Sequence, residues 1–269
     1  MNRVSASLVL YNTEKEVIEE SINSYFNSSV NGDLWVIDNS DDSKYKYLET
    51  FNSKITYIHA GENLGYGRAH NIALRNFIDI TDYHIILNPD ISFDTDVVEE
   101  LIEFLDLNYK VGLVAPKAVY PDGSPQSNGR LIPNPIHLIL RRFFSISKLD
   151  IKRNKDYELK NNNELNYLSP VVLGSFMMFR NSHLKEIGFF DERFFLYPED
   201  IDISRRMFLK YDNIIYTKAK FTHHHLQESY KSFRVLLVHI TEMTKYFNKW
   251  GWMIDKNRNR LNERALHPE

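Results

Sequence analysis

Ile85-Ile86-Leu87-Asn88-Pro89-Asp90-Ile91-Ser92-Phe93 opens as an apolar run and breaks at Asn88. The run has the pattern of a strand buried on both faces. Pro89 cannot donate a ladder hydrogen bond, so the strand ends there. Asp90 is left just past the end of a core strand, the rim where open α/β sheets bind ligands. A carboxylate in that place can hold a divalent cation, and the cation a diphosphate. On the tripeptide alone a plain turn is the simpler reading, since Asn, Pro and Asp all form turns. The rest of the chain decides between them.

Upstream, Val4 to Tyr11 reads as a strand. A helix is expected from Thr13, with Glu16 at capping-box spacing and Val17, Ile18, Ile22, Tyr25 and Phe26 on one face. Leu34 to Ile37 is a second strand, ending in Asp38-Asn39-Ser40-Asp41-Asp42, and Ile55 to Ile58 a third. Strand, helix, strand in recurrence implies a parallel sheet with crossover helices. Gly61-Glu62-Asn63-Leu64-Gly65-Tyr66-Gly67-Arg68 follows, and its glycines permit close backbone approach to a ligand. The next helix carries Ala69, Ile72, Ala73 and Phe77 inward. Its N-terminus is a candidate anion site with Arg68 as counter-charge. The P-loop and G-x-G-x-x-G spacings are absent.

Downstream, a helix is expected over about Asp94–Leu105, a strand over Val111–Val119, and a loop over Tyr120–Pro135. Ile136 to Asn166 turns basic (Arg141, Arg142, Lys148, Lys152, Arg153) and then polar. It reads either as a mobile excursion over the acceptor side or as an exposed insertion. Val171 to Phe179 reads as a core strand with Gly174-Ser175 in its middle, and a short helix stops at Gly188. In Phe189 to Arg206, Pro198 opens a helix, and Glu199 and Asp200 fall in its first turn, where the dipole favours their ionised forms. Phe194, Phe195 and Leu196 are placed to dry them. Asn213 to Tyr216 is a last short strand. Of His223-His224-His225, adjacent residues cannot all face one ion. Ser232 to Trp252 is helical, with an apolar face and a basic, aromatic end (Lys245, Lys249, Trp250, Trp252, Lys256, Arg258, Arg260). It reads as a membrane-surface or partner-docking helix, or as one that caps the core.

A chain of 269 residues that is 43% hydrophobic and 26% charged buries a substantial core in one large domain or two small ones. A net charge of −3 argues against a nucleic-acid partner. The absence of cysteine excludes disulfides and thiolate metal sites. Met1 to Ser7 does not read as a signal peptide, and no run reaches the length of a membrane span.

Several stretches, in order, resemble the inverting glycosyltransferases of family 2, especially the rhamnosyltransferase-like branch of bacterial O-antigen and capsule synthesis. They are Val9-Leu10-Tyr11-Asn12, Val36-Ile37-Asp38-Asn39-Ser40, Gly61 to Gly67, Leu87-Asn88-Pro89-Asp90, Pro121-Asp122-Gly123-Ser124 with Gln126, Gly174-Ser175-Phe176, and Gly188 to Asp202. A His-containing stretch ending at Ser229 and Tyr246 to Trp252 complete the set.

The resemblance implies a GT-A fold: a Rossmann-like, mostly parallel α/β sheet flanked by helices, here with a C-terminal helical extension. The expected division is residues 1–230 for the transferase domain (1–120 nucleotide-binding, 121–230 acceptor-binding) and 231–269 for the extension. It implies a nucleotide-sugar donor, dTDP- or UDP-linked, with rhamnose favoured, and Mg²⁺ or Mn²⁺. It implies that Asp38 reads the pyrimidine while Tyr11 and Asn12 line its pocket. Asn63, Gly65, Arg68 and Asn88 complete the candidate donor side. Asp90 matches the last acid of the metal-binding D-x-D motif, with Asn88 in place of the first. Asp200 matches the catalytic base, His223 the metal- or diphosphate-binding histidine, and Glu199, Gly174 and Ser175 are candidates for the acceptor side. The implied acceptor is a glycan or polyprenyl-diphosphate-linked glycan, at the cytoplasmic face of the membrane, with peripheral contact through the C-terminal helix and a homo-oligomer as further expectations. Two other readings stand beside this one. A nucleotidylyltransferase would show a Gly-rich basic loop after its first strand, where this chain has Tyr11-Asn12-Thr13-Glu14-Lys15. A non-catalytic scaffold subunit has no need of Asp90 and Asp200.

Overall fold

The computed structural model describes residues 3–136, 138, 156–159, 166–224 and 233–268. Most of the expected excursion over Ile136–Asn166, with its five basic residues, lies outside the described residues. So do His225 and Ser229.

The first half follows the strand–helix pattern. β1 (Val4–Leu10), α1 (Lys15–Phe26), β2 (Leu34–Asp38), β3 (Ile55–His59), α2 (Tyr66–Phe77) and β4 (Tyr83–Leu87) give four parallel strands in the order β3-β2-β1-β4. Every residue of β1 and β4 is buried, and the polar ones, Ser5, Ser7 and His84, bond to one another across the two strands. Leu10 pairs with Asp38 and Leu8 with Leu87. Tyr11, Asp38 and Asn88 are therefore carried to one carboxyl-end rim. Successive β4 side chains serve opposite layers. Ile85 and Leu87 join the layer of α1 and α3 (Val97–Leu107), whereas Ile86 joins that of α4 (Asn181–Ile187) and α5 (Pro198–Phe208).

Beyond β4 the sheet is mixed. Its strands are β5 (Ile91–Phe93), β6 (Val111–Val119), β8 (Asn166–Leu168), β10 (Phe176–Arg180) and β11 (Asp212–His223). β10 lies antiparallel between β4 and β6, β11 runs parallel to β6, and β5 and β8 pair antiparallel with β11. A separate two-stranded ribbon joins β7 (Gly129–Arg130) to β9 (Val171–Val172).

Four local expectations are corrected. The Val171–Phe179 strand is two strands, because the backbone of Gly174 is taken by side chains instead of a ladder. The last strand runs on for 12 residues through an irregularity between Tyr216 and Lys220, where the pattern resumes with Ala219 and Phe221 buried and Lys218 and Lys220 exposed. No capping box forms at α1: it starts after Glu14 without a side-chain cap, and the Thr13 carbonyl accepts the Tyr45 hydroxyl at 2.5 Å. The helix expected from Asp94 begins at Val97.

The C-terminal segment forms α6 (Phe233–Trp250) and α7 (Arg258–Leu266). Met243, Tyr246 and Phe247 of α6 pack on Phe194, just before α5. Lys249 lies between Asp191 and Asp202, at 2.7 and 2.6 Å, and Trp250 Nε1–H donates to Asp202 at 2.8 Å. Lys245, Lys249, Trp250 and Arg258 of the expected basic, aromatic end thus serve internal contacts. Trp252, Met253, Ile254, Lys256 and Arg260 stay exposed. Among the described residues no helix is long and apolar enough to cross a membrane.

Candidate active site

Asp90 follows β4 directly, and β11 brings His223 opposite Ile91. His223 Nε2 lies 3.3 Å from Asp90 Oδ2, and its Nδ1 lies 3.0 Å from Gln126 Oε1. With Nδ1 turned to Gln126, the other ring nitrogen of His223 faces the Asp90 carboxylate. A ring nitrogen and a carboxylate oxygen so placed suit joint ligation of one cation. Cis ligands of an octahedral ion with bonds of about 2.1 Å stand about 3 Å apart, close to the observed gap. Among the described residues no set of three His or carboxylate groups makes a closed site. The donor set therefore suits a hard, partly hydrated ion that takes further oxygens from a diphosphate, as Mg²⁺ and Mn²⁺ do. His224 is excluded from it. Its Nε2 lies 3.0 Å from Ser92 Oγ and 3.2 Å from Glu20, while its N–H donates to the Asp90 carbonyl.

Tyr66 connects this corner to α5. Its hydroxyl lies 3.0 Å from Asn88 Oδ1 and 2.6 Å from the Gly174 carbonyl oxygen. Gly174 N–H in turn donates to Asp200 Oδ2 at 3.1 Å, and Asn88 N–H donates to the Ser175 carbonyl at 3.0 Å. The Tyr66 phenol is held well above its ordinary pKa, first by burial and then by the charges of Glu199, Asp200 and Asp90. The Tyr66 hydroxyl thus joins the turn before Asp90 to the turn that holds Asp200.

Glu199 and Asp200 part company. Asp200 is half-buried, with its oxygens on the Gly174 and Ile201 N–H groups. Glu199 is 4% exposed and its Oε2 has no partner among the described residues. The dipole was expected to favour both ionised forms; instead, burial raises both pKa values. Glu199 is raised further by its neighbour Asp200, whereas the Gly174 N–H and the Arg130 charge pull Asp200 back. Loss of hydration outweighs the helix-end field, which is worth about 0.3–1 kcal/mol at an exposed end. Glu199 is the member that keeps a proton. It lies against Gly67 of α2. Gly174 and Ser175 also take structural contacts. Their backbone groups mount Asp200 and Asn88, and the Ser175 side chain is buried.

The nucleotide side is closed. Asp38 is fully buried, accepting the Tyr57 hydroxyl at 2.7 Å and Ser40 N–H at 2.9 Å. Tyr11 and Asn12 are exposed beside it, with Asn12 N–H on Ser40 Oγ. Asn63 Oδ1 accepts Gly65 N–H at 3.0 Å, and Asn39 Nδ2 donates to the Gly65 carbonyl at 3.2 Å. Gly65 has φ +82°, and a Cβ there would sit 2.5 Å from the Phe195 carbonyl oxygen. The glycine thus serves the approach of Phe195, not of a ligand. The same carbonyl takes Tyr66 N–H in the first turn of α2, so that N–H is not open to an anion. Arg68 is exposed, and its charge acts on Glu192; among the described residues no contact joins it to Asp90. Tyr66 and Gln126 fall inside the family-like motifs without a role implied for either, and Arg130 belongs to no motif at all.

A profile described as "Glycosyl transferase family 2" matches residues 5–188. The chain belongs to glycosyl transferase family 2. It is 28% identical over 205 residues to the low-salt glycan biosynthesis hexosyltransferase Agl10 of Haloferax volcanii, covering 74% of this chain and 60% of that protein. It is 27% identical over 160 residues to an N-acetylglucosaminyl-diphospho-decaprenol L-rhamnosyltransferase of Mycobacterium tuberculosis, covering 55% of this chain and 51% of that protein. The chain thus spans little more than half the length of these two curated relatives. In fold it resembles the mannosyltransferase PcManGT of Pyrobaculum calidifontis, solved with GDP-Man and Mn²⁺. The TM-score is 0.64 at 17% identity, over 98% of this chain and 69% of that one. The fold of this family 2 member is GT-A.

Proposed function

We propose that this chain transfers a sugar, with inversion, from a nucleoside-diphosphate donor to a glycan acceptor. The observation that carries the proposal is the Tyr66 hydroxyl bridge between Asn88, two residues before Asp90, and Gly174, whose N–H holds Asp200. That chain of bonds supports reading Asp90 with His223 and Asp200 as the cation-holding and proton-accepting parts of one site.

Asp90 and His223 would hold the divalent cation, with Gln126 fixing the imidazole. When bound, the cation supplies charge neutralisation for the departing diphosphate. Asp200 takes the proton of the acceptor hydroxyl as that oxygen attacks the anomeric carbon from the face opposite the diphosphate. One carboxylate suffices, because the diphosphate leaves without an acid. The pyrimidine sits by Tyr11 and Asn12 and gains Asp38 when Tyr57 moves. The names of the relatives favour L-rhamnose, from dTDP- or UDP-linked donor, and a polyprenyl-diphosphate-linked acceptor at the cytoplasmic membrane face. The exposed Trp252-Met253-Ile254, flanked by Lys256 and Arg260, suits contact with an anionic lipid surface. In this reading residues 231–269 support the transferase domain and touch the membrane.

The decisive experiment is Asp200→Asn. General-base action contributes about 10²–10⁴-fold, so turnover falls by at least that range's lower end while nucleoside-diphosphate affinity, measured with Mn²⁺ by calorimetry, is kept. Near-normal turnover would sink the assignment. A wild-type protein that releases no nucleoside diphosphate from any donor would favour the scaffold reading.

A further inference from the structure

Arg130 sits on β7, whose register partner on β9 is Val171. Its backbone is pinned: Arg130 N–H donates to Ser169 Oγ at 3.0 Å, and the following Leu131 N–H donates to the Tyr157 carbonyl at 2.9 Å. Its side chain is half-buried, and Nε is buried with no hydrogen-bond partner among the described residues. Among those residues no carboxylate pairs with it. Its charge nonetheless reaches Asp200. A guanidinium taken out of water is normally matched by a carboxylate, because burying an unpaired charge is costly. This one lies on the ribbon opposite Val171, three residues before the Gly174 whose N–H holds Asp200, and no bond joins it to Asp200 among the described residues.

We propose that Arg130 holds an oxyanion of the acceptor, a phosphate ester or a carboxylate close to the hydroxyl that Asp200 deprotonates. The guanidinium fork matches the planar or tetrahedral oxygens of either group in bidentate fashion. It arrives on the β7–β9 ribbon, an element separate from those that carry Asp90 and His223. Donor diphosphate and acceptor anion therefore have separate cationic partners. The word "acceptor" rests on the transferase reading; the anion site does not.

The test is thermal unfolding in EDTA at constant ionic strength, with no cation at Asp90 to attract the anion. Inorganic phosphate and acetate are titrated into the wild type, Arg130→Gln and Arg130→Lys. A ligand of the native state raises the melting temperature along a saturating curve. The expected result is saturation in the wild type, at least tenfold weaker apparent affinity in Arg130→Gln, and a partial return in Arg130→Lys. Saturation by phosphate alone assigns a phosphate ester, and saturation by acetate a carboxylate. No saturable shift in the wild type with either anion, or an equal shift in Arg130→Gln, overturns the site. A parallel titration with dTDP or UDP and Mn²⁺ checks the donor side in all three proteins. Its failure would count against the transferase reading alone.

Discussion

Replacing Tyr66 by Phe removes one oxygen and should disturb both fold and function. The ring would remain, packed edge-on against His70 at 4.4 Å and Phe190 at 6.4 Å between centroids. What is lost is the hydroxyl shared by Asn88 Oδ1 and the Gly174 carbonyl. Leaving a buried polar group unsatisfied costs about 1–3 kcal/mol. For a chain of this size each kcal/mol moves the melting temperature by about 2–4 °C, so a fall of about 2–12 °C is expected. Gly174 also mounts Asp200, so a loosened turn should lower kcat by about tenfold, equivalent to about 1.4 kcal/mol. Nucleoside-diphosphate affinity should be kept. Differential scanning calorimetry, steady-state kinetics and titration calorimetry read the three quantities. In an Asp200→Asn background the same change should cost little further turnover, because both act through one carboxylate. An unchanged melting temperature and kcat in Tyr66→Phe would refute the connection.

Asp200 acts as a carboxylate and its pKa is raised by burial. The kcat/KM of the wild type should thus fall on acidification through a pKa above the ordinary carboxylate value of about 4, and a profile flat down to that pH would count against it. Glu199 is also raised, so its native pKa exceeds the unfolded one. The stability it lends is complete below the unfolded value of about 4.3. It is lost as pH climbs to the native pKa, at about 1.4 kcal/mol for each tenfold fall in proton concentration. Glu199→Gln should therefore raise the melting temperature at pH 9 relative to wild type and bring no comparable gain at pH 5. Arg205 and Asp255 form a 2.5 Å ion pair with side chains 1% and 2% exposed, and the guanidinium lies 4.0 Å from the Trp250 ring centre. Asp255→Ala should cost about 3–5 kcal/mol in urea unfolding, and a paired Arg205→Met, Asp255→Leu change should recover much of it. Gln126→Leu should weaken Mn²⁺ binding about 10–100-fold by electron paramagnetic resonance titration, with the fold intact, because the His223 ring loses its orienting partner.

The parallel half of the sheet was legible because β1, β2 and β4 are almost wholly buried and rich in apolar residues. Pro89 and Pro198 marked the two chemical corners for local reasons that survive folding: each limits what its own backbone can do. The turn at Gly174 was not legible. Its partners, Tyr66 and Asp200, are 108 and 26 positions away, and a glycine between apolar residues reads as strand. The two adjacent acids of α5 look alike in sequence; only packing buries Glu199 and leaves Asp200 at the cleft. Asp38 was placed on the correct rim, but the tyrosine that covers it comes from the neighbouring strand. The triple histidine was legible in part. Neighbouring residues had to diverge, and His223 turns to Gln126 while His224 turns to Glu20.

The most direct measurement is a crystal structure with Mn²⁺ and a nucleotide sugar, the ion located by its anomalous signal. The ion is expected on Asp90 and His223, with the anomeric carbon of the donor between it and Asp200. Manganese bound elsewhere, or a sugar whose anomeric carbon faces away from Asp200, would contradict the shared cleft.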